Sequence, residues 1–214
     1  MSKSFKAILL VIILVVPALI FIFLRLFGDN QYDLPVYFQN GVDTTFADCE
    51  FQQGLHLIPD FSLPDYTGKE IDTDYLAGAF LVVYFTQDIA SPVSHRINTA
   101  LSRVQGSVEH FDKVRILTIQ PKKKGQPAGQ LQEMAGKYGA RENMWYMGYA
   151  NPVYTNLLAR CGFVIDFDAM SGDVNNIIAL VDEKRRIRGY FNGLDDGEIE
   201  RLIVELKILN SNRK

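Results

Sequence analysis

The stretch Phe80–Arg96, "FLVVYFTQDIASPVSHR", carries the reading on which the fold turns. "FLVVYF" is a continuous apolar run of β-formers, which predicts a strand buried on both faces. Ser91 followed by Pro92 predicts a helix start. The serine hydroxyl can accept from a free first-turn amide, and the proline ring suits the first helical position. Behind them Val93, Ile97, Ala100, Leu101, Val104 and Val108 fall on one helical face. A buried strand therefore hands over to an amphipathic helix across Thr86–Ser91.

The same logic extends outward. "KVRILTIQ", Lys113–Gln120, reads as a second strand, and "PKKKGQPAG" as a loop. Leu131–Tyr138 reads as a short helix stopped by Gly139. "MWYMGY", Met144–Tyr149, reads as a core strand in preference to a Met-rich copper or partner surface. "NPVYTNLLARCG", Asn151–Gly162, reads as one short helix capped by Asn151. "NIIALVD" is a strand, with "RRIRGYFNG" its hairpin partner across a turn at Glu183 and Lys184. Asp195–Asn210 closes the chain as a helix, with Asp195 and Glu198 as a capping-box-like pair. Upstream, "IPDFSLPDYTGKEID" reads as two short strands around a turn at Thr67–Gly68. The order β-α-β-α-β-α-β-β-α predicts an α/β domain, a central mixed sheet flanked by helices. With its final antiparallel hairpin and helix, this is the thioredoxin-like arrangement.

The chain of 214 residues carries 22 Lys and Arg against 25 Asp and Glu, a net charge of −3. That balance gives no electrostatic footprint for nucleic acid. Ala7–Leu24 contains no charged or polar side chain. As a helix it is roughly 27 Å long, and Leu26 and Phe27 extend it toward the roughly 30 Å of a bilayer core. Pro17 is tolerated in a membrane helix. No small-residue cleavage site follows Leu24, so an uncleaved anchor is expected rather than a signal peptide. Lys3 and Lys6 precede the run, and Asp29 and Asp33 follow it. The expectation is a single-pass protein of the inner (cytoplasmic) membrane, N-terminus inside and globular part on the periplasmic or extracytoplasmic side. The expected organisation is a membrane anchor over residues 1–28, a polar connector over 29–55 and the α/β domain over 56–214.

Several segments together resemble the Sco/SenC family of membrane-anchored, thioredoxin-fold copper-assembly factors for cytochrome c oxidase. They are the anchor, "DLPVY", "IPDFSLPDYTGKEI", "FLVVYFT" and above all "ALVDEKRRIRGYFNGLDDGEIERLIVELKIL". The resemblance implies a Cys-x-x-x-Cys pair at the strand-to-helix corner and a distant His, together binding copper. Aligned on Phe85–Thr86, those cysteine positions hold Asp88 and Pro92; aligned on Ser91–Pro92, they hold Gln87 and Ser91. Counting back from Leu180, Asp173 stands at an Asp of the family and Val174 at the His. All three ligands are missing. Disulfide exchange needs a thiolate and a resolving thiol, and tight Cu(I) binding needs soft ligands. Gln87, Asp88, Ser91 and His95 offer at best a hard, weak site. No catalytic, cofactor-binding or metal-ligating residue is therefore assigned, and no resident cofactor is expected.

Other candidates read as structural. His95, one turn into the helix, is placed where it could face the corner. His56 and His110 have no partners at ligand spacing, and Lys122–Lys124 reads as a solvated loop. "FDAMSGDVNN", Phe167–Asn176, lacks a calcium-loop ligand series. Cys49 and Cys161 form neither a disulfide framework nor a zinc spacing. One long-range bridge between them is allowed, and two unpaired thiols is the favoured reading. The functional expectation is a binding factor in respiratory oxidase assembly, partnered by an assembly factor or an active paralogue, and not an enzyme. The alternatives are a single-thiol redox or peroxidase-like enzyme using Cys161, and a structural envelope protein.

Overall fold

The computed structural model describes residues 3–27, 34–43, 46, 48–125, 129–168 and 175–211. The chain divides into two units, Met1–Asp33 and Leu34–Lys214. In the first, helix α1 spans Lys3–Phe27 with Pro17 inside it. Its described side chains, Ser4, Phe5 and Val11–Phe23, are exposed. Among the described residues no helix is long and apolar enough to cross a membrane.

The second unit begins with a hairpin of β1 (Ser62–Pro64) and β2 (Glu70–Asp72). It continues through β3 (Phe80–Phe85), α2 (Pro92–Ser107), β4 (Val114–Pro121), α3 (Gln130–Tyr138), β5 (Trp145–Ala150) and α4 (Pro152–Leu157). It ends with β6 (Ile177–Val181), β7 (Ile187–Asn192) and α5 (Asp196–Ser211). The five-stranded sheet has the order β5-β4-β3-β6-β7. The β3, β4 and β5 strands run parallel, and β6 and β7 run antiparallel to their neighbours.

All six residues of β3 are buried, as a central strand demands. The pleat divides them. Phe80, Val82 and Tyr84 enter a core with Ile97 and Leu101 of α2, Leu131 of α3 and Leu202 and Leu206 of α5. Leu81, Val83 and Phe85 enter the opposite core with Leu63, Ile71, Leu158 and Phe163. Each such side chain contributes roughly 1.5–3 kcal/mol by leaving water. The hairpin β1–β2 is pinned to the sheet edge by the bridge between Asp65 and Gly148, where a Cβ would lie 3.1 Å from Leu63 Cδ1 and from the Pro64 carbonyl oxygen.

Three local expectations are corrected. The helix expected over Asn151–Gly162 is α-helical only to Leu157; Leu158–Gly162 forms a π-turn, closed by the Phe163 amide donating to the Leu158 carbonyl at 3.0 Å. The capping box before α5 is one-sided. Asp195 Oδ1 accepts from the Gly197 and Glu198 amides, but the Glu198 carboxylate turns to Arg201 at 2.6 Å. The described residues of 34–55 do not stand off as a free connector. The Tyr37 amide donates to the Ile187 carbonyl and the Arg188 guanidinium to that of Leu34, so the described part is strapped onto the domain.

Candidate functional site

The strand-to-helix corner is built as the sequence predicts. Ser91 is the N-cap of α2, its hydroxyl accepting the Ser94 amide at 3.1 Å, and Pro92 occupies the first turn. The loop before it is held residue by residue. The Thr86 amide donates to the Ile119 carbonyl, extending the β3–β4 ladder by one rung. Asp88 Oδ1 accepts the Ala90 amide at 2.9 Å, and Gln120 Oε1 accepts the Ile89 amide at 2.8 Å.

Beneath this loop lies a buried chain of hydroxyls and amides. Ser94 Oγ meets Thr86 Oγ1, the Tyr84 hydroxyl (3.2 Å) and Ser91 Oγ (2.9 Å). The Ser94 carbonyl accepts Asn98 Nδ2 at 2.8 Å; Asn98 Oδ1 accepts the Thr118 hydroxyl, and Thr118 Oγ1 accepts Trp145 Nε1, both at 3.1 Å. On the other side Tyr84 donates to the Asn175 carbonyl, and Asn175 Nδ2 donates to that of Phe85 at 2.8 Å. Burial pushes the Tyr84 phenol above its ordinary pKa, against the pull of its bonds to Ser94 and Thr86. Each buried polar group in this chain has a partner, which is the condition for such a network to be tolerated.

Of the residues at the two alignments of the family's cysteine pair, none offers a free soft donor. Asp88 Oδ1 and Ser91 Oγ accept local amides. Gln87 Nε2 reaches the Asp168 carbonyl and its Oε1 accepts the Asn175 amide, both at 3.4 Å. Pro92 has no side-chain donor. Asp173 and Val174 lie outside the described residues. Among the described residues no three His, Cys, Asp or Glu side chains converge as metal ligands. The oxygens present are hard donors, and they do not fit Cu(I).

His95 does not face the corner. Ser94 takes that place, while His95 is exposed, with Nδ1 3.0 Å from the Tyr138 hydroxyl. The buried serine therefore has no imidazole to act as its base, and an unassisted hydroxyl is a weak nucleophile. His56 Nε2 lies 2.8 Å from the Gly162 carbonyl, and His110 is exposed beside Glu109. Met144 and Met147 are buried, as a core strand requires.

The reading of two unpaired thiols is overturned. Cys49 and Cys161 form a disulfide across 112 residues, with Cα atoms 5.3 Å apart. Among the described residues there is no free cysteine, and Cys161 is bonded in this structure rather than present as the thiol a single-thiol centre needs. The sequence offered no sign of the pairing, because Cys49 reaches Cys161 only after the strap has folded back.

Sequence reasoning also missed a phenol cluster beside β5. The Tyr75 hydroxyl accepts Lys69 Nζ at 2.8 Å and lies 3.0 Å from the Tyr146 hydroxyl and 3.1 Å from Asn143 Oδ1. The lysine bond holds the Tyr75 phenol below its ordinary pKa, while burial drives that of Tyr146 up.

The fold and corner define a thioredoxin-like domain whose strand-to-helix corner is occupied by hydroxyl, amide and carboxylate side chains. No family model matches the sequence, and no curated protein matches it. Solved structures share its fold. A SCO1/SenC family lipoprotein from Bacillus anthracis is 15% identical, with a TM-score of 0.62 over 72% of this chain and 95% of that one. BsSco, a member of the Sco family of cytochrome c oxidase assembly proteins, is 15% identical with a TM-score of 0.60, over 73% and 95%. ScoI of Bradyrhizobium japonicum, solved with copper bound, is 17% identical with a TM-score of 0.56, over 72% and 99%. At these identities the likeness establishes the fold.

Proposed function

We propose that this protein is a membrane-anchored member of the Sco/SenC type that acts in respiratory oxidase assembly by binding a protein partner, without copper or thiol chemistry at its corner. The observation that carries this is the buried chain Thr86–Ser94–Asn98–Thr118–Trp145. It fills the corner with bonded, hard donors and makes it a rigid platform. The likeness to Sco structures and the Sco-like closing hairpin and helix support the assembly role. The apolar run Ala7–Leu24 within α1 supports anchoring, and Lys3 and Lys6 support a cytoplasmic N-terminus. The Cys49–Cys161 bridge agrees with a domain on the oxidising side of the membrane.

Two measurements test this reading. The full chain in detergent, loaded with Cu(I) and challenged with a chromogenic Cu(I) chelator, is expected to retain no copper. One ion retained per chain would overturn the loss of copper chemistry. Crosslinking in the native membrane is expected to enrich oxidase subunits or their assembly factors, and enrichment of neither would overturn the assembly role.

A further inference from the structure

Phe38 and His56 meet at the base of the segment between them, of which residues 38–43, 46 and 48–56 are described. The His56 amide donates to the Phe38 carbonyl at 3.0 Å, and the two rings pack edge to face. This base is fastened to the domain without sulfur. The Tyr37 amide donates to the Ile187 carbonyl, His56 Nε2 lies 2.8 Å from the Gly162 carbonyl, and the Ile58 amide donates to the Arg185 carbonyl. The far side of the loop is fastened by Cys49 to Cys161, at the end of the π-turn. Among the described residues its other attachments run to the neighbouring Arg160. Asp48 pairs with that guanidinium at 3.1 Å while 63% exposed, and Phe46 lies under it at 4.8 Å. An ion pair so open to water holds the loop weakly.

The two sulfurs are not equivalent. Cys161 borders a cavity of about 310 Å³ lined by Asp48, Val153, Asn156, Leu157 and Arg160, and Cys49 is not part of that lining. Val153 and Leu157 are exposed apolar residues at its rim. A nucleophile entering there meets the Cys161 sulfur in a lining that also holds the Arg160–Asp48 ion pair. Asp48 belongs to the surroundings of both sulfurs, so the difference between them is one of access: Cys161 borders the cavity and Cys49 does not.

We propose that the Cys49–Cys161 disulfide is a reducible latch, the reaction site for a dithiol that enters through this cavity. The dithiol's thiolate attacks Cys161 Sγ, and the S–S bond breaks with its electron pair leaving on Cys49 Sγ, which takes a proton from water. The second thiol of the reductant, deprotonated to solvent, then attacks its partner sulfur in the mixed disulfide. It expels Cys161 as a thiolate, which is protonated in turn. The dithiol is oxidised to a disulfide by two electrons, and the bridge becomes two thiols. The base at Phe38 and His56 stays closed, so the loop swings off the cavity while the domain keeps its fold. This inference does not rest on the oxidase assembly reading.

The test uses the full chain in detergent. Dithiothreitol without denaturant is expected to make both cysteines reactive to maleimide, with far-ultraviolet dichroism and Trp145 emission unchanged. Proteolysis within residues 39–55 is expected to accelerate by at least roughly 10-fold. Acid-quenched reaction with glutathione is expected to place the adduct on Cys161. A double variant, Cys49→Ser with Cys161→Ser, is expected to fold and to be cleaved fast with or without reductant. The proposal is overturned if the bridge resists reduction until denaturant is added, if reduction or the double substitution unfolds the domain, if glutathione is found on Cys49, or if cleavage stays as slow as in the oxidised protein.

Discussion

Ser94 of α2 and Thr86 beyond β3 hydrogen-bond through their hydroxyls, closing the strand-to-helix corner from beneath. Both side chains are buried, and Ser94 also meets Tyr84 and Ser91. Ser94→Ala leaves Thr86 and Tyr84 each short of a partner. The expected cost is about 1–3 kcal/mol, read as a lower denaturation midpoint with an unchanged slope. Thr99→Ala, on the exposed face of the same helix, is the control and is expected to shift stability by less than about 0.5 kcal/mol.

The Tyr84 phenol sets a limit at high pH. Burial raises its folded pKa above the ordinary 10.0. Above that pH the folded state retains a proton that the unfolded state has released, so stability is full below about pH 10 and falls as pH rises further. Thermal melts from pH 8 to 11 are expected to show this loss. In Tyr84→Phe the alkaline slope is expected to be shallower than in the parent protein.

Asp182 anchors the β6–β7 turn from a buried position. Its Oδ2 accepts Arg186 at 2.7 Å and Arg188 Nη1 at 3.0 Å, and its Oδ1 accepts the amides of Lys184 and Arg186. Burial pushes its pKa up, but the Arg186 and Arg188 bonds more than offset that and hold it below the ordinary 3.8. Its contribution is therefore present above about pH 4 and lost as pH falls further. Asp182→Asn removes the Asp182 charge from the Arg186 and Arg188 guanidinium groups and is expected to cost about 3–5 kcal/mol by equilibrium unfolding at pH 7.

Gly148 marks the seam between β5 and the first hairpin. A methyl group there meets Leu63 Cδ1 and the Pro64 carbonyl oxygen at 3.1 Å, and the carbonyl belongs to backbone that cannot rotate aside. Gly148→Ala is expected to destabilise by about 1–3 kcal/mol. Hydrogen exchange is expected to show the loss first at the Tyr66 amide, which donates to Met147.

Much of the fold was legible because its signals are local. The apolar run of β3, the Ser91–Pro92 start of α2 and the stop at Gly139 depend on neighbours in sequence, and all three stand in the structure. The π-turn was not legible. Leu158–Gly162 has the composition of an ordinary helix end, and Gly162 packs so closely on Pro59 that a Cβ would sit 3.0 Å from it, a contact no local pattern records. Neither was the turning of Glu198 to Arg201, since the Asp195 amide is taken by the Asn192 carbonyl and Glu198 makes charge-assisted bonds to Arg201 instead.

At the site, the sequence by itself established that the corner carries no sulfur, because that is a statement about residue identity at Gln87, Asp88, Ser91 and Pro92. It also established the order of strands and helices, since periodicity records which face of each segment is apolar. Only the tertiary structure decided what occupies the space beneath the corner, where Asn98, Thr118 and Trp145 meet from three separate elements. It alone decided that Cys49 and Cys161 are joined. Pairings between residues distant in sequence leave no local pattern; they exist only once packing on both faces of the sheet has brought the segments together.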